Sequence, residues 1–232
     1  HINLCRKPQV SSHFSPNIDF LGKFPRPERF DILDTTTVSA SRLDTLNIEK
    51  CDFIKLDIQG GELAALQGGD GLLAKVLGLE IEVEFLNVYR NQPLFGDVCA
   101  YLFRHGFEFI DFTNLCRWDR RVRTGLGQCI FGDALFLKSP EHIKQKFDET
   151  AISLSDLRRY LAILALYRRA DLMQRCLELF AVCLEEDQQL TKEIGIVADR
   201  INGDLAKIRL VGKFSSYLLK AVGNQIRVHP TY

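Results

Sequence analysis

Between Cys51 and about Lys138 the apolar residues switch repeatedly between two periods, and that alternation restricts the chain to few architectures. CDFIKLDI, LGLEIEVEF, FEFIDF and IFGDALFLK have strand length and strand patterning, whereas ELAALQGGDGLLAKV and LFGDVCAYLFRHG carry apolar residues at helical spacing, the second helix ending on Gly106. Strand, helix, strand, helix, strand predicts a doubly wound α/β fold with a mainly parallel sheet. Only a polar link rich in Arg and Gly separates the last two strands, so they are expected to form an antiparallel hairpin.

The flanks read differently. HINLCRK and TTTVSASRL are read as two strands around the turn-rich SSHFSPN and KFPRPERF. After Pro140 the pattern becomes helical: ISLSDLRRYLAILALYRR has a capping serine, and DLMQRCLELFAVCLEE places Leu172, Cys176, Leu179, Phe180 and Cys183 on one face. GDLAKIRLVGKFSSYLLKAV predicts a last helix, where Lys207, Arg209, Lys213, Lys220 and Arg227 outnumber Asp204. Such a stripe is expected to pack on protein, either the α/β core, a partner or a second copy, rather than on a membrane. The domain boundary falls at 140/141.

Composition excludes several function classes. With 30 basic and 30 acidic residues among 232, no global field favours nucleic acid. The longest apolar stretch, Leu161 to Tyr167, lies between arginine pairs and is far below the roughly 20 residues of a membrane span. No charged and apolar leader follows His1, so no signal peptide is expected, and the chain reads as a piece of something longer. Seven scattered cysteines without a Cys-x-x-Cys pair suit reduced thiols in the cytoplasm, and the five histidines form no ligand set, so no structural metal is expected. Neither Gly-x-Gly-x-x-Gly nor the Gly-Lys-Ser/Thr phosphate loop is present, which sets nucleotide hydrolysis aside.

Alternation in CDFIKLDI points Phe53, Lys55 and Asp57 one way and Ile54, Leu56 and Ile58 the other. Asp57 closes the strand, where ligand crevices of open α/β sheets lie, and Gly60 and Gly61 let a ligand approach the backbone. The alternative keeps Asp57 as a helix cap with Lys55 snorkelling or paired to it. Gly68-Gly69 is read as a helix break. Glu80, Glu82 and Glu84 share one strand face; Glu84 is the functional candidate, while Glu80 and Glu82 are expected to meet solvent or cations. Asp57 and Asp133 could hold magnesium, but no third ligand is evident. Arg117, Arg120, Arg121 and Arg123 around Trp118 make either a solvated hairpin or a contact for an anionic acceptor.

FIKLDIQGGEL, LEIEVEF, VYRNQPLF, GFEFIDF and GDALFLK, in that order, resemble the later half of FkbM-type methyltransferases, whose hallmark is Lys-x-Asp-x-x-Gly-x-Glu. SSHFSPN and SRLDTL are similar to the Ser-Ser, Pro-Asn and Leu-Asp elements before it, so the resemblance spans roughly residues 1 to 139. It implies a Rossmann-like, partial class I methyltransferase fold with an antiparallel last strand over 1–140, followed by a helical extension over 141–232. The implied activity is S-adenosylmethionine-dependent O-methylation of a hydroxyl on a sugar, glycan or polyketide-like metabolite. Lys55, Asp57, Gly60 and Glu62 match the hallmark, with Gly61 where alanine is frequent; Glu84, Tyr89, Gln92, Pro93 and Phe95 match the following segment, and Asp133 the acid of the last strand.

The roles implied by the resemblance are catalysis for Asp57, Glu62 and Glu84, cofactor contact for Asp57, Ile58 and Gln59, and acceptor contact for Lys55, Tyr89, Gln92 and Asp133. It also implies that the first strand, its glycine turn and the acid ending the second strand lie upstream of these residues. A different class, a non-catalytic Rossmann-like module that binds a glycan or a protein, accounts for the same sheet.

Overall fold

The computed structural model describes residues 1–120, 125–181, 192, 195–197, 199–201 and 203. It divides into two compact units, His1–Leu137 and one beginning at Lys138.

The first unit opens with an antiparallel pair, β1 (Ile2–Cys5) and β2 (Ile32–Thr36), in register from Ile2 opposite Thr36 to Cys5 opposite Ile32. The second strand therefore lies earlier than the expected TTTVSASRL. Its ladder ends at the Ile2–Thr36 pair, and Thr37 reaches only the His1 ring, through its side chain at 2.9 Å. Between the strands sits a short helix, α1 (Ile18–Leu21), which the turn-rich composition concealed. Asn17 follows Pro16 and starts it by accepting the Phe20 N–H, one of the donors that a first turn leaves unsatisfied.

The main sheet contains β3 (Phe53–Leu56), β4 (Gly78–Glu84), β5 (Phe107–Trp118) and β6 (Gln128–Lys138), in the order β3-β4-β6-β5. β3 runs parallel to β4, and β6 antiparallel to β4. Trp118 adjoins Gly127, Asn114 adjoins Gly132, and Thr113 bonds the Asp133 carbonyl, so contacts run in opposite order along β5 and β6. This is the expected hairpin. Three strands thus share one sense, but β6 inserts between two of them, leaving β3 and β4 as the single parallel neighbours of this sheet. The expectation of mainly parallel pairing is corrected accordingly: a short link returns β6 beside β5, and pairing β6 also to β4 separates the two like-sensed strands. The architecture is mixed α/β.

Strand alternation then assigns the faces. Ile54 and Leu56 of β3, Leu79, Ile81 and Val83 of β4, and Ala134 and Phe136 of β6 form one apolar face. Leu66, Leu73, Val98 and Leu102 cover it from α2 (Glu62–Gln67), α3 (Asp70–Leu73) and α4 (Phe95–Arg104). Gly68 and Gly69 divide α2 from α3, the expected break, and Gly106 at φ 74° turns the chain from α4 into β5. The opposite face of β4 carries Glu80, Glu82 and Glu84.

The second unit packs α5 (Pro140–Asp148), α6 (Leu154–Leu166) and α7 (Ala170–Leu179). Ser153 and Asp156 form a reciprocal capping box at the start of α6. The buried stripe of α7 is Ala170, Met173 and Cys176, continued by Phe180, whose ring meets Phe147 edge-on. Leu172 and Leu179 are only half-buried, a rotation from the expected face that brings Met173 inward. Cys183 and, Gly203 apart, the expected last helix lie outside the described residues. Among the described residues no helix is long and apolar enough to cross a membrane.

Gly132 tests this packing against a backbone atom. A Cβ there would sit 2.6 Å from the Asn114 carbonyl oxygen, a backbone atom that cannot rotate away. Gly132→Ala is expected to lower stability by about 1–3 kcal/mol in urea titrations; an unchanged midpoint would contradict the β5–β6 register.

Candidate active site

The hallmark segment makes a tight turn directly after β3. Gln59 has φ 58° and Gly60 φ 96°, so two successive residues occupy the left-handed half of conformational space. For glutamine this is uncommon and costs on the order of 1–3 kcal/mol, so the surroundings must hold it. They do so from every side. The Ser12 hydroxyl donates to the Gln59 carbonyl at 2.6 Å, and the Glu62 carboxylate accepts the Ile58 N–H at 2.7 Å. Phe14 lies over Gly60 and His13 over Gly61, each where a Cβ would come within 3.1 Å, which explains why side chains are absent there.

The Gln59 side chain binds two functional candidates, Asp57 and Tyr89, together with Glu82. Its Nε2 donates to Asp57 Oδ1 at 3.1 Å and to Glu82 Oε1 at 2.7 Å, and its Oε1 lies 3.0 Å from the Tyr89 hydroxyl. That hydroxyl shares its one proton with the Val10 carbonyl, 2.9 Å away. Both Gln59 donors, at the residue for which cofactor contact was expected, are thus committed to protein. Ile58 and Asp57 are exposed; Glu62, Glu84, Tyr89 and Gln92 are buried. Gln92 Oε1 accepts the Tyr89 N–H, while its buried Nε2 faces Glu84 without a well-formed hydrogen bond.

Electrostatics distinguishes the acids. Burial raises the proton affinity of Glu62 against the opposing N–H groups of Ile58, Glu62 and Gly60. Burial, then the charges of Asp57, Glu62 and Asp133, pushes Glu82 up to about 8 despite the Gln59 bond. Burial, then Glu62 and Glu82, pushes Glu84 up to about 9. Tyr89 is raised by burial and by Glu84. Glu82, expected to meet solvent or a cation, is instead a half-buried member of the acid group, held by an amide.

Lys55 pairs with Glu80 and lies 3.9 Å from Asp133. Register explains the first contact, since Lys55 stands opposite Glu80. The lysine therefore pairs across the sheet, where sequence reading had Asp57 as its possible partner, and it keeps Asp133 occupied. Among the described residues no group of three His, Cys, Asp or Glu could hold a metal ion. Ser12, His13, Phe14 and Glu82 are the participants that residue patterns did not single out. Ser12 belongs to the quoted SSHFSPN, but nothing local in that segment signals a partner 47 positions away.

Residues 9–109 match the family model of the methyltransferase FkbM domain. The match covers the turn, the acid group and the Tyr89–Gln92 loop, and bears out the FkbM-type resemblance over that stretch, which supports a methyltransferase in general. Comparisons with curated proteins and with solved structures give no significant match.

The acid group makes a testable linkage. The folded protein keeps the Glu82 and Glu84 protons up to about pH 8 and 9, whereas the unfolded chain releases them near the ordinary value of 4.5. Between these limits the unfolded chain binds fewer protons, so stability falls as pH rises. Urea midpoints are expected to drop from pH 5.5 to 8.5, and Glu84→Gln is expected to flatten the drop. A midpoint that rises over this range refutes the burial of these acids.

Proposed function

We propose that residues 1–140 are the later half of an S-adenosylmethionine-dependent O-methyltransferase domain and that residues 141–232 are a helical extension of it. The reading extends to a partial class I, Rossmann-like sheet and to a hydroxyl of a sugar, glycan or polyketide-like metabolite as acceptor. The observation that carries it is the exposed hallmark acid Asp57 at the carboxyl end of β3, held by Gln59 at the mouth of the acid group.

The residues suit the cationic part of the cofactor. Burial and the charges of Asp57 and Glu62 raise the proton affinity of Glu82, and burial, Glu62 and Glu82 that of Glu84, so a positive group arriving beside them would favour their ionised forms. When bound, S-adenosylmethionine supplies an electrophilic methyl group. Transfer to a hydroxyl requires alignment and removal of the hydroxyl proton. Asp57 is placed to accept that proton, because it is the accessible acid and its Oδ1 is oriented by Gln59. Glu62 keeps the turn in shape, and Glu84 with Gln92 supports the interior. Lys55 and Asp133, more accessible than Tyr89 and Gln92, are the better acceptor contacts; the latter two shape the wall behind. All described cysteines are free thiols, which supports a reducing compartment.

The full-length protein, assayed for methyl transfer with a panel of hydroxylated acceptors, provides the test. Asp57→Asn is expected to reduce turnover by roughly 100-fold or more, while unfolding free energy stays within about 0.5 kcal/mol, as for exposed substitutions. Unaltered turnover would remove Asp57 from the chemistry. A complete lack of cofactor binding by the intact protein would favour the non-catalytic binding module.

A further inference from the structure

The turn after β3 has a neighbour that none of its own hydrogen bonds requires. His13 lies between two pinned residues: the Ser12 hydroxyl donates to the Gln59 carbonyl at 2.6 Å and accepts the Phe14 N–H at 3.0 Å, and the Phe14 carbonyl accepts an Asn3 side-chain N–H at 3.0 Å. The backbone thus presents the imidazole at a fixed place. The ring stands over Gly61, with Cε1 and Nδ1 at 3.1 and 3.5 Å from where a Cβ would be, and Ile58 Cδ1 lies 3.2 Å from the same point. Phe14 backs the imidazole, with 4.0 Å between ring centroids. His13 and Ile58 are both exposed, and among the described residues the ring nitrogens of His13 have no hydrogen-bond partner.

Gly61 stands where the resembling family frequently has alanine, and the methyl group it lacks would press on this imidazole and on Ile58. The backbone does not demand glycine there, since a φ of −86° is open to other residues. The exchange therefore trades a methyl for an accessible, unpartnered imidazole at the carboxyl end of β3, against the residue that follows Asp57. We propose that His13 is an acceptor-binding residue: its ring and the Ile58 side chain seat the apolar face of a pyranose, and a ring nitrogen bonds a hydroxyl beside the one presented to Asp57. The inference rests on the reading of this turn as the acceptor side of a methyl-transfer site, and adds the substrate class. A pyranose suits the pair because it has a carbon–hydrogen face for the imidazole and isoleucine and a rim of hydroxyls for the polar groups. Partial burial, then the His1 amino group, lowers the proton affinity of His13. At neutral pH the imidazole is then uncharged, with one nitrogen donating and the other accepting, and a hydroxyl can meet either.

Proton NMR of the histidine rings in the intact protein, with the His13 signal assigned by its loss in His13→Gln, tests the inference without turnover. Methyl glycosides of glucose, mannose and galactose are the probes, and ethylene glycol supplies hydroxyls without a ring. At least one glycoside is expected to move the His13 signal saturably while those of His105 and His142 stay in place. A His13 signal that no glycoside moves, or that ethylene glycol moves equally, overturns the proposal. Binding by the variants is read from the glycoside's own signals. His13→Gln is expected to weaken it about tenfold, the worth of one hydrogen bond, and Gly61→Ala about threefold. The double variant is expected to bind no worse than His13→Gln alone, because the added methyl acts through the ring; full additivity would contradict that. Thermal melts show whether each variant keeps its fold. In the methyl-transfer assay, His13→Gln is expected to raise the acceptor KM about tenfold and to leave kcat within about threefold. Glycoside binding at His13 without methyl transfer leaves the proposal standing and turns against the methyltransferase reading. Methyl transfer with an unchanged acceptor KM in His13→Gln overturns the proposal and leaves that reading intact.

Discussion

The carboxamide of Gln59 is the interaction on which the candidate site depends. A strand end carrying an exposed acid, an interior carboxyl on the neighbouring strand and a tyrosine from a later loop have no reason to adopt a fixed geometry. Gln59 supplies one, because it presents two donors and an acceptor in a plane, and its backbone is turned into the left-handed region so that they face inward. The conformational cost is met by Ser12 below the carbonyl and by Glu62 across the turn. A shorter side chain could relieve the backbone but could not reach both Asp57 and Glu82. Glutamate, of the same length, would set a like charge against them and lacks the two donors.

The same turn explains how a small sheet tolerates several acids on one face. Glu80 meets Lys55, Glu82 meets an amide, and Glu84 lies against Gln92, so each acid has a different answer to burial. The two inner ones answer mainly by holding their protons, which converts a charge penalty into a hydrogen-bonding surface. Protonated carboxyls and amides behind the accessible Asp57 form a gradient from wet to dry over β3 and β4. A proton acceptor is most useful at the wet edge of such a gradient, with its orientation set from the dry side.

Much of the fold was legible because local periodicity and tertiary burial agree there. LGLEIEVEF alternates in sequence and forms β4 with an apolar and an acidic face; LFGDVCAYLFRHG forms α4 and stops at its glycine. Agreement failed where pairing partners decide. TTTVSASRL has strand-forming residues, but the ladder with β1 is used up at Thr36, and Asn17 starts a helix inside a segment that composition marks only as turns. Around the turn, Asp57, Glu62 and Glu84 stand close enough to influence one another, as their positions in the motif led one to expect. Glu82 was misjudged because the cost of a buried acid was weighed without Gln59, whose amide contributes the hydrogen bond that position requires. Ser12 was invisible as a participant, since its contact exists only once the first unit has closed.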